Sequence, residues 1–248
     1  MPRFAVILPA AGSSTRFGPG ANKLFSPLAE GVPVVGMTLR QFLSRSDVES
    51  VILATSPGAP WDDVHPSLAQ LLADGRVRRC EGGPSRAHSV RNALATVSAD
   101  VEWVAVHDAA RPLVSAALID RTLEAAVRYG AAIPATPIVP TIKQADGPLP
   151  AKVQRTIPRH TLWGVQTPQI ARRAALQLAY EKCPLPLEQV TDEAQLLELS
   201  GQEVWLVPGE EGNLKITTPE DLRIAEALLE GQKWKTRNPK PEIRISDE

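Results

Sequence analysis

The sequence predicts an α/β fold, a Rossmann-like and mainly parallel sheet flanked by helices, with a β-hairpin arm projecting from it. Three observations carry this reading. Short apolar runs alternate with longer helical patterns along most of the 248 residues, which is the signature of βαβ units. Between Pro137 and Pro168 the alternation breaks into two β-type segments around Asp146-Gly147, a hairpin signal. Loops rich in small and charged residues follow the apolar runs directly, at the strand ends where open α/β sheets bind ligands.

Each element can be justified in turn. Phe4 to Leu8 is a buried strand, and Pro33 opens a helix whose apolar face is Val34, Met37, Leu39 and Phe42. Val51 to Ala54 and Val77 to Cys80 are strands, and Ser85 to Val97 is a helix. Trp103 to Val106 is a strand, followed by a helix from Ser115 to Tyr129 with Gly130 placed to end it,. Residues 137–160 form the arm. Helices are expected over Pro168 to Glu181 and Thr191 to Ser200, then a strand over Val204 to Val207. The last helix starts with Thr218 as N-cap, Pro219 at its first position and Asp221 at its third,. We read residues 1–231 as one domain and 232–248, charged and poor in apolar residues, as a disordered tail,.

Composition narrows the function. With 27 Lys and Arg against 28 Asp and Glu the net charge is −1, which excludes a global electrostatic footprint for nucleic acid or an anionic membrane. Any anion must be held by a local cluster. The apolar start is broken by Pro9 and Gly12, and no apolar run approaches a membrane span,. Cys80 and Cys183 form no CxxC pair, so neither a disulfide framework nor a zinc site is indicated. A cytoplasmic enzyme or binding protein is expected.

The chemistry concentrates in four loops. After the first strand comes Pro9-Ala10-Ala11-Gly12-Ser13-Ser14-Thr15-Arg16-Phe17-Gly18, then Lys23. It matches neither the P-loop nor the dinucleotide fingerprint. Small residues flanked by two cations still suit a polyphosphate. Gly82-Gly83 with Ser89 lets backbone approach a flat ligand. His107-Asp108-Ala109-Ala110-Arg111-Pro112 puts a carboxylate, which can meet magnesium on a nucleotide, at a strand end,. Lys215 precedes the well-capped last helix, whose N-terminus attracts anions.

Together, Pro-Ala-Ala-Gly-x-x-x-Arg-x-Gly, Gly-Gly-x-x-Arg-x-x-Ser, His-Asp-Ala-Ala-Arg-Pro, Thr-Pro-Gln, Thr-Asp-Glu-Ala and Asn-x-Lys-Ile-Thr resemble the 2-C-methyl-D-erythritol 4-phosphate cytidylyltransferase family, from Phe4 to Leu229. The resemblance implies a fold of the nucleotide-diphospho-sugar transferase type. It also implies transfer of a cytidylyl group from CTP, accompanied by Mg²⁺ or another divalent cation, to a sugar-alcohol phosphate in isoprenoid synthesis. By the same resemblance, Arg16, Lys23 and Lys215 are catalytic. Ala10, Ala11, Gly12, Gly83, Ser89 and Asp108 hold the nucleotide, with Asp108 the one candidate metal contact. Arg111, Thr167 and Thr191 line the acceptor pocket, while Thr141 and Arg159 reach a partner's site in a homodimer built through the arm. Two departures stand out. Pro140 replaces the aspartate usual before the arm threonine, and Pro84 stands where a polar residue is common. Two other readings compete: a ribitol 5-phosphate cytidylyltransferase, which shares the CTP half, and a non-catalytic nucleotide-binding protein, which should have lost Arg16, Lys23 or Lys215. Length leaves no room for a fused pathway cyclase.

Overall fold

A computed structural model describes residues 1–12, 17, 22–59, 61 and 65–237. Its sheet grows outward from the first strand, β1 (Phe4–Ala10). Apolar residues at alternate positions of β1 face opposite sides. Phe4, Val6 and Leu8 enter one core with Leu39 and Phe42, while Ala5 and Ile7 enter a second with Val90 and Leu94. A strand buried on both faces is what a continuous apolar run predicts. Each large side chain so buried contributes about 1.5–3 kcal/mol.

The elements follow in order. Helix α1 (Val34–Leu43) and strand β2 (Val48–Thr55) precede α2 (Pro66–Leu72) and β3 (Val77–Glu81). Helix α3 (Arg86–Leu94) leads to β4 (Trp103–Val106), the residues expected. Helix α4 (Ala116–Tyr129) is capped by Ser115, whose hydroxyl accepts from Leu118 N–H, and ends on Gly130 at φ 97°. Strand β5 (Ala131–Pro137) then feeds the arm, β6 (Ile142–Ala145) and β7 (Val153–Ile157). Next come β8 (Trp163–Val165), β9 (Gln169–Arg172), α5 (Arg173–Glu181) and α6 (Glu193–Leu199). Strand β10 (Trp205–Pro208) and α7 (Pro219–Arg237) complete the described chain.

The strand order is β10-β5-β9-β4-β1-β2-β3, with β8 also on β5. Strands β1, β2, β3 and β4 pair in parallel, as do β5 and β10. The sheet is therefore mainly parallel. The exceptions are β8, antiparallel to β5, and β9, antiparallel to both β4 and β5, where a helix from Pro168 is expected from sequence. The helix begins only at Arg173. Pairing on both sides decides the matter, because Gln169–Arg172 fills the gap between two strands that would otherwise have unpaired backbone. From β1 the chain runs one way to β2 and β3, and β4 lies on the other side. The crevice between the carboxyl ends of β1 and β4 is thus a topological switch point, the place where ligands bind.

In the arm, Ile142 faces Ile157 and Lys143 faces Thr156. The turn is broader than Asp-Gly alone: the Asp146 carboxylate accepts from Lys152 N–H at 3.0 Å, closing residues 146–152. Helix α7 continues to Arg237, so the first residues of the 232–248 segment, expected from composition to be a disordered tail, extend this helix instead. Its start is the expected capping box. The Asp221 carboxylate accepts from Thr218 N–H at 2.8 Å, and the Thr218 hydroxyl accepts from Asp221 N–H at 3.4 Å. Among the described residues no helix is long and apolar enough to cross a membrane.

Candidate active site

Two cavities open at the switch point and share a wall. The larger, about 580 Å³, is lined by Pro9 to Gly12, Lys23, Gly83 to Arg86, Ser89, Asp108 and Lys215 among others. The smaller, about 210 Å³, is lined by Arg111, Gln166, Thr167 and Thr191 among others, and again by Arg86, Asp108 and Lys215. The nucleotide residues expected from sequence thus come together in one cavity and the acceptor residues of the body in the other. Arg16 lies outside the described residues. Thr141 and Arg159 line neither cavity; both sit exposed on the arm, where Arg159 Nη1 donates to the Val139 carbonyl.

The Gly82-Gly83 wall of the larger cavity is built by close approach. A Cβ on Gly82 would come within 2.4 Å of Ala11 Cβ, and one on Gly83 within 2.4 Å of His88 Cβ. Only glycine fits there. Gly83 N–H donates to Ser89 Oγ at 3.0 Å, and the Ser89 hydroxyl donates back to the Ser85 carbonyl at 3.0 Å. Ser89 therefore lines the cavity and also pins the loop that carries Gly83. Across the cavity, Lys23 opens a short 3₁₀ turn in which the Asn22 side chain accepts from Leu24 N–H at 3.1 Å.

Asp108 is the electrostatic centre. Its Oδ1 faces Arg86 Nε at 3.3 Å, while Oδ2 meets Lys215 Nζ at 2.9 Å and Arg111 Nε at 3.4 Å. Burial alone would raise its pKa; Arg86, Lys215 and Arg111 outweigh that and hold the carboxyl well below the usual carboxylate range,. Arg86, unassigned from sequence, also grips Glu193 with both terminal nitrogens, at 2.8 and 2.9 Å. That fork-to-fork geometry suits an ionised carboxylate, although burial raises the Glu193 pKa against the opposing pull of Arg86,. Burial opposes the Arg86 charge, yet Glu193 and Asp108 overcome it and its pKa is raised. Arg86, Arg111 and Lys215 against Asp108 and Glu193 leave this cluster with one more cation than carboxylate.

The loop after β4 is braced from beneath by His107, which is fully buried. Its Nε2 lies 3.0 Å from the Arg111 carbonyl and its Nδ1 3.1 Å from Thr167 Oγ1. A carbonyl only accepts, so Nε2 carries the hydrogen and Nδ1 accepts from Thr167. Thr167 Oγ1 in turn accepts from Asp108 N–H at 3.1 Å. Burial lowers the His107 pKa to about 4, so the ring is neutral and acts as a strut. Thr167 faces the site because β8 and β9 form one interrupted antiparallel strand, broken at Gln166-Thr167-Pro168. Asn213 Nδ2 donates to the Thr167 carbonyl at 2.8 Å, and Arg111 Nη1 donates to the Asn213 carbonyl at 2.7 Å. These bonds fasten the Lys215 loop to the wall of the smaller cavity.

The chain is similar over most of its length to proteins of one kind. Residues 4–231 match the family described as IspD: 2-C-methyl-D-erythritol 4-phosphate cytidylyltransferase. A 2-C-methyl-D-erythritol 4-phosphate cytidylyltransferase from Dechloromonas aromatica is 41% identical over 237 residues, covering 94% of this chain and 100% of the relative. A bifunctional enzyme IspD/IspF from Anaeromyxobacter dehalogenans is 44% identical over 226 residues, but the match spans only 56% of that longer relative and 90% of this chain. The crystal structure of the Francisella tularensis 2-C-methyl-D-erythritol 4-phosphate cytidylyltransferase superposes with a TM-score of 0.77 at 32% identity, covering 91% of this chain and 99% of that one.

Proposed function

Since the chain belongs to the 2-C-methyl-D-erythritol 4-phosphate cytidylyltransferase family, we propose that its two joined cavities carry out that reaction with the residues described above. CTP occupies the larger cavity and the alcohol phosphate the smaller. A phosphate oxygen of the acceptor attacks the α-phosphorus of CTP, the bond from that phosphorus to the bridging oxygen of the β-phosphate breaks, and pyrophosphate leaves. The product is 4-diphosphocytidyl-2-C-methyl-D-erythritol. The observation that carries this reading is the shared wall of Arg86, Asp108 and Lys215, which puts cations where the two phosphates must meet.

The acceptor phosphate has its second pKa near 6, so at neutral pH it is already mostly dianionic and needs no general base. The residues agree. His107 is buried and engaged at both nitrogens, and Lys23, Arg86, Arg111 and Lys215 are among the residues lining the cavities. Catalysis then rests on positioning and on stabilising the charge of the transition state, with Arg16, Lys23 and Lys215 in that role. Arg111, Thr167 and Thr191 orient the acceptor. Ala10, Ala11, Gly12, Gly83 and Ser89 enclose the cytidine.

A divalent cation finds no cage of protein ligands among the described residues: no three His, Cys, Asp or Glu side chains converge, and Asp108 is already shared by three cations. Magnesium arriving with CTP would take its oxygens from the triphosphate and water.

The arm supports a homodimer with shared sites. Val139, Leu149 and Val153 on it are 72%, 87% and 52% exposed, and a two-stranded hairpin without a further surface is marginal in water. A two-fold partner supplies that surface and receives Thr141 and Arg159. The test of the activity is pyrophosphate release with CTP and either 2-C-methyl-D-erythritol 4-phosphate or ribitol 5-phosphate. Turnover with the first and little with the second is expected. Faster turnover with ribitol 5-phosphate would reassign the acceptor.

A further inference from the structure

We infer that Thr167 and Thr191 meet the acceptor as lone pairs only, so that its alcohol hydroxyls lie against them and its phosphate against the cations. The inference rests on the proposed place of the alcohol phosphate in the smaller cavity. Both threonines line that cavity, together with Arg86, Arg111 and Lys215. A threonine hydroxyl has one hydrogen to give and two lone pairs. At Thr167 the hydrogen is spent on His107. The ring's Nε2 must hold its own hydrogen to reach the Arg111 carbonyl at 3.0 Å, which leaves Nδ1 as a bare lone pair 3.1 Å from Thr167 Oγ1. That oxygen also accepts from Asp108 N–H at 3.1 Å. A single lone pair is left to offer.

Thr191 reaches the same state by another route. Its backbone N–H and its hydroxyl both address Gln195 Oε1, at 2.8 and 3.1 Å. A backbone N–H only donates, which fixes that atom as the amide oxygen, and an amide oxygen only accepts. The Thr191 hydroxyl is therefore a donor inward and an acceptor outward. The link is local, with Thr191 beside the N-cap Asp192 of α6 and Gln195 in the first turn. The link from Thr167 to His107 spans 60 positions. Two unrelated partners thus leave two threonines with one polarity. At neutral pH the acceptor phosphate is mostly dianionic and brings no hydrogen to a lone pair, whereas an alcohol hydroxyl does. Charged donors suit the phosphate, and Arg86, Arg111 and Lys215 supply them in the same cavity. The cavity sorts the two ends of a polyol phosphate by hydrogen-bond polarity, with His107 and Gln195 as positioning residues that act through the threonines.

The test is pyrophosphate release by the full-length chain with CTP and 2-C-methyl-D-erythritol 4-phosphate, or that acceptor with one hydroxyl at a time replaced by fluorine. Fluorine keeps the size and cannot donate. In the parent at least one replacement should lower kcat/KM for the acceptor by about tenfold, because a lone pair goes unmet. In T167V or T191V the replacement that addressed the removed hydroxyl should cost less than about twofold. H107Q and Q195M take away the acceptors that hold the two hydrogens, and H107Q keeps a donor for the Arg111 carbonyl. Each freed hydroxyl can then turn its hydrogen on the ligand, so the matching penalty should shrink to less than about threefold. A merely structural role predicts a loss that is the same for every acceptor. Replacements that cost the parent nothing, or that cost the same in the parent and in every variant that folds, would overturn the inference. Should T167V and H107Q, at buried positions, fail to fold by circular dichroism, T191V and Q195M decide it, at an exposed and a half-buried position. A parent that releases no pyrophosphate with the unsubstituted acceptor overturns the functional reading and this inference with it. An active parent with no such coupling overturns this inference alone.

Discussion

Replacing Gly83 by alanine tests whether the Gly82-Gly83 wall is as tight as its geometry says. The new Cβ would lie 2.4 Å from His88 Cβ and 3.2 Å from the His88 carbonyl carbon. Ordinary carbon contacts are about 3.5–4.0 Å, so the loop must retreat by about 1 Å. His88 cannot yield instead, because it belongs to the first turn of α3 and its ring lies 2.9 Å from the capping Ser85 hydroxyl. The retreat also breaks the bond from Gly83 N–H to Ser89 Oγ, a loss of about 1 kcal/mol. A misplacement of about 1 Å at a reacting centre costs on the order of a hundredfold in rate. We therefore expect kcat/KM for CTP to fall by about a hundredfold, with the melting temperature lowered by only about 2–4 °C. The assay is pyrophosphate release at varied CTP and saturating acceptor. Gly75→Ala is the control, since a Cβ there meets nothing within 4 Å. If G83A folds normally and keeps kcat/KM within about threefold of the parent, where the same loop shift should have cost a hundredfold, the wall does not hold the nucleotide.

Lys23→Ala and Arg16→Ala should lower kcat far more than they raise the KM for CTP, because contacts made mainly in the transition state appear in turnover; the reverse pattern would remove them from the catalytic role. His107 makes stability pH-dependent. Its folded pKa of about 4 lies below the ordinary 6.5, so the unfolded chain binds the extra proton. Stability is complete above pH 6.5 and falls as pH drops toward 4, by roughly 2 kcal/mol between pH 7 and pH 5; urea melts at the two pH values that coincide would contradict the buried neutral ring. Mixing Asp108→Ala and Arg159→Ala chains should restore activity to about a quarter of the sites, because random exchange makes half the dimers mixed and each mixed dimer has one intact site. No recovery after proven subunit exchange would show that Arg159 serves its own chain.

Much of this fold is written locally. Strand β4 was expected residue for residue, and the caps Ser115, Gly130 and Thr218 mark helix ends through bonds within a few positions. The loops at the switch point are legible for the same reason, since small residues and cations follow each apolar run. Strand β9 is not legible, because Gln-Ile-Ala-Arg leads into an alanine-rich helix and is a strand only by pairing with β4 and β5. Arg86 escaped too. Its partners lie 22 and 107 positions away, and no spacing rule reaches so far. One local signal existed: a cation at the first position of a helix, where the macrodipole disfavours it, implies a carboxylate nearby to compensate.

The pairing of β5 with β8 sets how the arm joins the rest of the fold. Ala135 faces Val165, Thr136 faces Gly164 and Pro137 faces Trp163, so the chain leaves the body for the arm and returns at neighbouring points. The arm is in effect an insertion into a hairpin that would close without it. Folding of the body and whatever the arm contacts are then separate problems, since extra length between closed ends costs little in loop entropy. Lengthening or trimming the arm leaves the sheet untouched, so the surface the arm presents can drift in such a chain while the larger cavity stays fixed.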